Sequence, residues 1–300
     1  MSKNIMEQAT NKVNIVGKLL DATFREGKSP STGQHYESCN FTVRVTQTYG
    51  GRTETSEIPV SIFATQYTSQ NKLHPGYKNI QDMKKMNTVQ DHGEAEATVI
   101  RMTNANIREN NFVSRNGQLI NSWQINTSFL NEGKASDIAS FNMDIFIMDM
   151  HEEVDREGEP TGRLVIKGAV VQYGGKLDVI EFIVEDNEAV NYISRNWEEN
   201  QTVNVGGRIR YTSQEEKRSA SESSWGEELP ETSTRMVREL IITRGSDEPF
   251  EEDFAYDAAE IKKAFNERKA RLEQMQIDAK NNTKKSAPAP AASKSNYSWE

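Results

Sequence analysis

The sequence predicts a mainly β protein: two tandem five-stranded barrels, then a C-terminal amphipathic helix and a disordered tail. Three observations carry this. Apolar and polar residues alternate in short runs through most of the first 245 residues, the period of half-buried strands. The runs fall twice into one order: three strands, a stretch with helical spacing, two more strands. Beyond residue 253 the apolar period changes to three-and-four, as an amphipathic helix requires.

Residues 1–11 are polar and are expected to form a flexible arm. In the first strand Val13, Ile15 and Leu19 point one way around Gly17. A glycine there suggests a bulge or a close backbone approach. Cys39, Phe41, Val43 and Val45 then alternate with Asn40, Thr42 and Arg44 in a second strand. The turn between them, Arg25–Gln34, is basic and punctuated by Pro30 and Gly33. Gly50-Gly51 leads into a third strand, Thr53–Ala64, with Ile58, Val60 and Ile62 toward the core and Ser61 and Phe63 opposite. Residues 65–92 lose the alternation and predict a connector with a short helix. Alternation returns at Glu94–Ile107 and Gln118–Leu130, around a hairpin tip, RENNFVSRNG, at Arg108–Gly117. This is the strand order of an OB-fold, a Greek-key barrel that binds oligonucleotides across its strand two–three face and flanking loops.

Ile138–Met150, Arg163–Tyr173 and Lys176–Glu185 open a second barrel, OB-like in the same way, with Gly174-Gly175 as a tight turn. Asn187–Trp197 is helical in spacing, and Gln201–Thr212 and Thr234–Arg244 finish as strands. VNVGGRI at 203–209 and LVIKGAV at 164–170 echo VNIVGKL at 13–19, as repeated units would. The expected units are 12–135, an acidic 136–245, a linker and helix at 246–280, and a tail at 281–300. Ser213–Ser233, with Trp225, is a long polar loop. The helix carries Phe254, Ala258, Ile261, Phe265, Leu272, Met275 and Ala279 on one face, with Arg268 interrupting. It either docks on its own domain or serves a partner or a second copy. The Ala/Pro/Ser/Lys tail is expected to be disordered.

Composition narrows the function. One cysteine, Cys39, excludes an internal disulfide, and its place on the apolar side of a strand predicts an inert core thiol. No apolar run approaches the length of a membrane span, and the N-terminus lacks a signal-peptide core. A soluble, cytoplasmic protein with no membrane partner is expected. The four histidines stand apart, with no serine elbow, no phosphate-cradling GxxxxGKS or GxGxxG run and no zinc spacing. No catalysis, cofactor or metal is expected.

The net charge of −9 is unevenly spread. Residues 1–135 carry 15 Lys+Arg against 12 Asp+Glu, whereas 136–245 carry 12 against 22. A polyanion belongs on the first unit. A sequence-tolerant binder of single strands needs cations along the backbone path and flat rings for the bases. The rings are Tyr36, Phe63, Phe112 and Trp123; the cations are Lys18, Arg25, Lys28, Arg44, Arg108 and Arg115. Trp123 shares a face with Ile125 and Phe129, which weighs toward core packing. Phe63, offset from the Ile58/Val60/Ile62 set, and Phe112, in a polar basic loop, weigh toward exposure.

The run NKVNIVGKL, followed by STGQHYESCNFTVRV, resembles the opening of bacterial and phage single-stranded DNA-binding proteins. There a V-x-[LI]-x-G-x-L strand leads through a Gly-bearing turn into N-F-x-[VL]. The resemblance covers residues 11–64 with specificity and extends loosely to 135. It implies an OB-fold, stacking aromatics and no catalysis; the function expected is non-sequence-specific single-stranded DNA binding in DNA replication or recombination, on the first barrel. The family often ends in an acidic Pro-Phe tip that recruits replication and repair proteins; here DEPF stands at Asp247–Phe250, inside the chain. The second unit and long tail suggest a divergent, phage-encoded member, with replication or recombination proteins met through Asp247–Phe250 or the C-terminal helix and tail. Homo-oligomerisation is open. The contrary readings are a phage structural or assembly protein that binds no nucleic acid, and an RNA-binding regulator.

Overall fold

In the computed structural model, which describes residues 3–114, 116–134, 137–217 and 232–285, the first alternating runs form β1 (Asn11–Lys28), β2 (His35–Tyr49) and β3 (Arg52–Thr65). After them come α1 (Pro75–Met83), α2 (Val89–His92), β4 (Val99–Glu109), a short hairpin of β5 (Phe112–Val113) and β6 (Leu119–Ile120), then β7 (Trp123–Thr127) and β8 (Asn131–Glu132). β1, β2 and β3 are antiparallel neighbours. β7 joins β3 in parallel, with Val60 beside Ile125, and β4 pairs both β7 and β1, which closes the ring. Closure removes the sheet edges.

The second ring repeats the plan. It consists of β9 (Ile138–Val154), β10 (Pro160–Val171), β11 (Leu177–Val184), α3 (Asn187–Asn196), β12 (Thr202–Lys217) and β13 (Thr232–Gly245). β13 joins β11 in parallel at Ile183 and Ile241, and β12 returns to β9. The two barrels are therefore equivalent strand for strand, with β9, β10 and β11 standing for β1, β2 and β3. They share one sheet, because the first six residues of β1, Asn11–Val16, also pair antiparallel with the first six of β9, Ile138–Met143. Among the described residues α4 (Ala258–Lys285) ends the chain.

The cores follow the alternation. Ile15, Leu19, Phe41, Val43, Ile58, Ile62, Ile100 and Ile107 fill the first barrel, and Phe141, Ile145, Ile166 and Phe182 the second; all are buried. The Phe141 and Phe182 ring centroids lie 5.7 Å apart. Gly17 marks a close approach: a Cβ there would sit 2.3 Å from the Arg44 carbonyl oxygen, and the β1–β2 register slips just beyond it, between Leu19 and Asp21.

An ion network ties the barrels on one flank. Glu54 of β3 accepts from Arg208 (2.8 Å) and Arg210 (2.7 Å) of β12, and both arginines also hold Glu185. The Arg208 guanidinium lies 4.5 Å over the Tyr49 ring. Burial works to raise the Glu185 pKa, but Arg210 and Arg208 hold it below its ordinary value.

Several expectations need correction. Glu94–Thr98 precede β4 instead of opening it, and Gln118–Leu130 splits into β6 and β7. Arg108 belongs to β4, not to the hairpin tip. The glycine echoes fall on β1, β10 and β12, which are not equivalent strands, so the repeat is real in topology but absent from that motif. α4 starts at Ala258, leaving Phe254 exposed, and reaches Lys285, taking in the first five residues of the expected tail 281–300. Residues 3–10, read as a flexible arm, are held: Lys3 N–H donates to the Ala255 carbonyl (2.8 Å), and Tyr256 donates its hydroxyl to the Glu7 carbonyl (2.8 Å). Arg115, residues 218–231 with Trp225, and the tail 286–300 lie outside the described residues.

Candidate nucleic-acid interface

Register fixes which side chains leave the first barrel. The inward set of β2 is Glu37, Cys39, Phe41, Val43 and Val45, all buried. Tyr36, Ser38, Asn40, Thr42 and Arg44 therefore point outward. Across β3 the outward neighbours are Phe63, opposite Ser38, and Ser61, opposite Asn40. Across β1 they are Arg25, opposite Ser38, and Gly27, opposite Tyr36. The face is polar and uncharged at its centre, where the Ser61 hydroxyl donates to Asn40 Oδ1 at 2.7 Å.

At one end of this face two rings meet. Tyr36 and Phe63 have centroids 5.3 Å apart and planes tilted by 37°. The Tyr36 ring covers Gly27, where a Cβ would lie 2.7 Å from its hydroxyl oxygen. Phe63 is 60% exposed. Arg25 is exposed on the same face, whereas Lys28, exposed at the end of β1 opposite His35, has the other parity; neither has an ion-pair partner among the described residues. Tyr36, Phe63 and Arg25 are thus brought together, with Lys28 at the strand end beyond them. Two more exposed rings, Tyr67 and Phe129, sit at the same end of the strands, since Thr127 pairs with Ile62. Strict alternation would put Phe129 on the face of Trp123 and Ile125. It leaves the strand because the Thr127 hydroxyl donates to the Phe129 carbonyl (2.8 Å) in a tight turn that breaks the alternation.

The other predicted residues are placed differently. Arg44 is outward but neutralised, held by Glu57 (2.9 Å) and Glu94 (3.1 Å). Lys18 donates to the Glu94 carbonyl at 2.9 Å. Arg108 donates to Asp178 of the second barrel at 3.0 Å. Burial raises the Asp178 pKa and Arg108 opposes this. Trp123 is half-buried against the core, in line with its neighbour Ile125. Phe112 is 47% exposed on its hairpin, opposite Ile120. That hairpin grows from the Glu109/Trp123 pair, at the level of Ile58 on β3, whereas the 29–34 turn stands at the level of Thr65. Seven residues at roughly 3.3 Å each separate the two loops by about 23 Å along the face.

The mouth of the barrel below Tyr36 is plugged by polar groups. Glu37 is buried and accepts from Tyr77 (3.1 Å), Gln81 (2.7 Å) and Lys84 (2.8 Å). Burial alone would raise its pKa; the Lys84 and Tyr77 hydrogen bonds bring it below the ordinary value. Glu26, His35 and Glu37 place potential ligand atoms within 4.8 Å of one another, donor types a divalent cation takes. With both Glu37 oxygens already engaged, the cluster is a hydrogen-bonded plug. Cys39, beneath it, has its pKa pushed up to about 12 by burial.

Comparison with known proteins places the chain as follows. A family model described as YorF matches residues 9–278. No curated protein matches it. The wild-type single-stranded DNA binding protein from Thermus aquaticus is similar in structure at 11% identity and a TM-score of 0.49, covering 84% of this chain and 99% of that one. A replication protein A heterotrimer bound to ssDNA is similar at 10% identity and a TM-score of 0.21, covering 89% of this chain and 70% of that one. No helix among the described residues is long and apolar enough to cross a membrane.

Proposed function

The chain belongs to the YorF family, and we propose that it is a non-enzymatic, non-sequence-specific single-stranded DNA-binding protein of replication or recombination, acting in the cytoplasm of a phage-infected host. The observation that carries this reading is the Tyr36–Phe63 pair on a polar face, flanked by Arg25 with Lys28 at the end of the same strand, in the only unit of the chain with a positive balance. Rings offer stacking that is indifferent to base identity, each worth about 1–3 kcal/mol by alanine substitution. The central Asn40, Ser61 and Ser38 supply hydrogen bonding without repelling phosphate. The path would run from the 29–34 turn across Tyr36 and Phe63 toward Phe112.

The acidic second barrel is assigned no nucleic acid. Recruitment through Asp247–Phe250 is not favoured, since Phe250 N–H donates to the Thr202 carbonyl (2.8 Å) and Tyr192 donates to the Asp247 carbonyl (2.6 Å), binding that segment to its own barrel.

The test is fluorescence titration of the full chain with oligo-dT at several salt concentrations. Saturable quenching that weakens with salt is expected; no binding at low salt would overturn the reading. Tighter binding of oligo-U than of oligo-dT would reassign the site to RNA.

A further inference from the structure

The equivalence of the two barrels shows where they differ. On the second barrel α4 packs against β9 and β11. Ile145 packs inward toward Gly168 and Phe182, which turns Phe146 outward, yet Phe146 is only 3% exposed. Phe146 and Met148 instead line a cavity of about 400 Å³ together with Ala258, Ile261 and Phe265 of α4. The helix is thus seated on the outward side chains at one end of β9.

From that seat Arg268 reaches across to the first barrel. Both its Nε (2.7 Å) and a terminal nitrogen donate to Glu109 Oε1 at the end of β4. The same oxygen accepts the Val179 N–H of β11 at 2.9 Å, and Oε2 accepts from Asn111 Nδ2 at 2.9 Å. Asn111 Oδ1 accepts the Ser122 N–H (3.3 Å), and Asn110 is bonded to Ser122 through its N–H (2.8 Å) and its carbonyl (2.9 Å). One carboxylate therefore joins the helix, the second barrel and both stems of the Phe112 hairpin. The Arg268 and Glu109 side chains are 11% and 6% exposed, so the charges are nearly dry and the geometry is tightly specified.

We infer that the second barrel and α4 are the mount for the Phe112 hairpin, with Arg268 and Glu109 as positioning residues for the nucleic-acid path on the first barrel. This rests on the proposed function of that face. A loop already held in the free protein loses less freedom on binding than a mobile one. It also gives the acidic half of the chain a task that needs no phosphate contact.

A double-mutant cycle in the full chain tests the inference. Arg268→Gln should weaken oligo-dT binding about five- to tenfold in the native background and have no further effect once Phe112→Ala is present. Arg268→Lys should recover part of the loss. An equal loss with and without Phe112, or a folded Arg268→Gln variant of native affinity, overturns the proposal. If Arg268→Gln does not fold, Arg268→Lys carries the same cycle, with a smaller loss expected. Amide hydrogen exchange of 110–122 without DNA should quicken in either variant, and native protection there would also overturn it. Failure of the native chain to bind oligo-dT sinks the reading of the face, whereas unchanged exchange sinks the mount.

Discussion

Gly27 and Tyr36 face each other across β1 and β2, and a Cβ on Gly27 would lie 2.7 Å from the Tyr36 hydroxyl oxygen. The ring lies over bare backbone and from there meets Phe63. Gly27 does not have a positive φ, so a side chain is tolerated by the strand itself. Gly27→Val should displace the ring while leaving the fold intact, because a β-branched residue suits a strand. Oligo-dT affinity is expected to fall about tenfold, the loss of one stacked ring, with stability within about 0.5 kcal/mol of native. Native affinity in titration would remove Tyr36 from the path.

The cations differ in what they can give. Arg25 and Lys28 are exposed without partners among the described residues, whereas Arg44 is shared by Glu57 and Glu94. Each phosphate contact to a single strand adds about 0.7 to the slope of log K against log salt. Arg25→Gln and Lys28→Gln should each reduce that slope by about this amount. Arg44→Gln should reduce it by less, since the guanidinium is already neutralised. An equal reduction for all three would show that DNA displaces the carboxylates from Arg44.

Much of the fold is legible in the sequence because a period of two is local: Val13, Phe41, Val60 and Phe182 are inward where alternation puts them. What escapes is set by distant chain. Arg44 meets Glu94 fifty residues on and Arg108 meets Asp178 seventy residues on, and no local pattern announces either partner. Phe129 was lost to a two-residue turn at Thr127, the kind of parity break that alternation cannot foresee. The seat of α4 had one signal, the Arg268 that interrupts its apolar face. A cation in an apolar stripe calls for an acid on the surface it packs against, and Glu109 is that acid.

Acid should loosen the flank where Arg208 and Arg210 bridge Glu54 and Glu185. Burial opposes ionisation of Glu185, but the arginines win and its folded pKa lies below the ordinary 4.5. A depressed folded pKa means stability that is fully present above the unfolded value and lost as pH falls through the folded one. Glu185→Gln should cost about 1–3 kcal/mol at pH 7, the scale of a charged hydrogen bond. Its Tm should also decline less steeply than that of the native chain between about pH 5 and pH 3, the span around the ordinary carboxylate range. Parallel Tm curves for the two proteins would show that the network contributes nothing to acid unfolding.

Cys39 offers a direct gauge of opening in the first barrel. It is fully buried, pairs with Phe24 across β1 and β2, and burial lifts its pKa to about 12. At pH 8 about one thiol in ten thousand is ionised by that value, and the thiolate is the reactive form. A disulfide reagent should therefore label the native chain only at the rate of local or global opening, and label it rapidly in denaturant. Gly17→Ala should speed labelling strongly. The added methyl would sit 2.3 Å from the Arg44 carbonyl oxygen, a backbone atom that cannot swing away, and overpacking of this kind costs about 1–3 kcal/mol. Gly27→Val, whose clash is with a mobile ring, should leave labelling near native. Prompt stoichiometric labelling of the native chain would mean that the β1–β2 pairing around Cys39 opens freely.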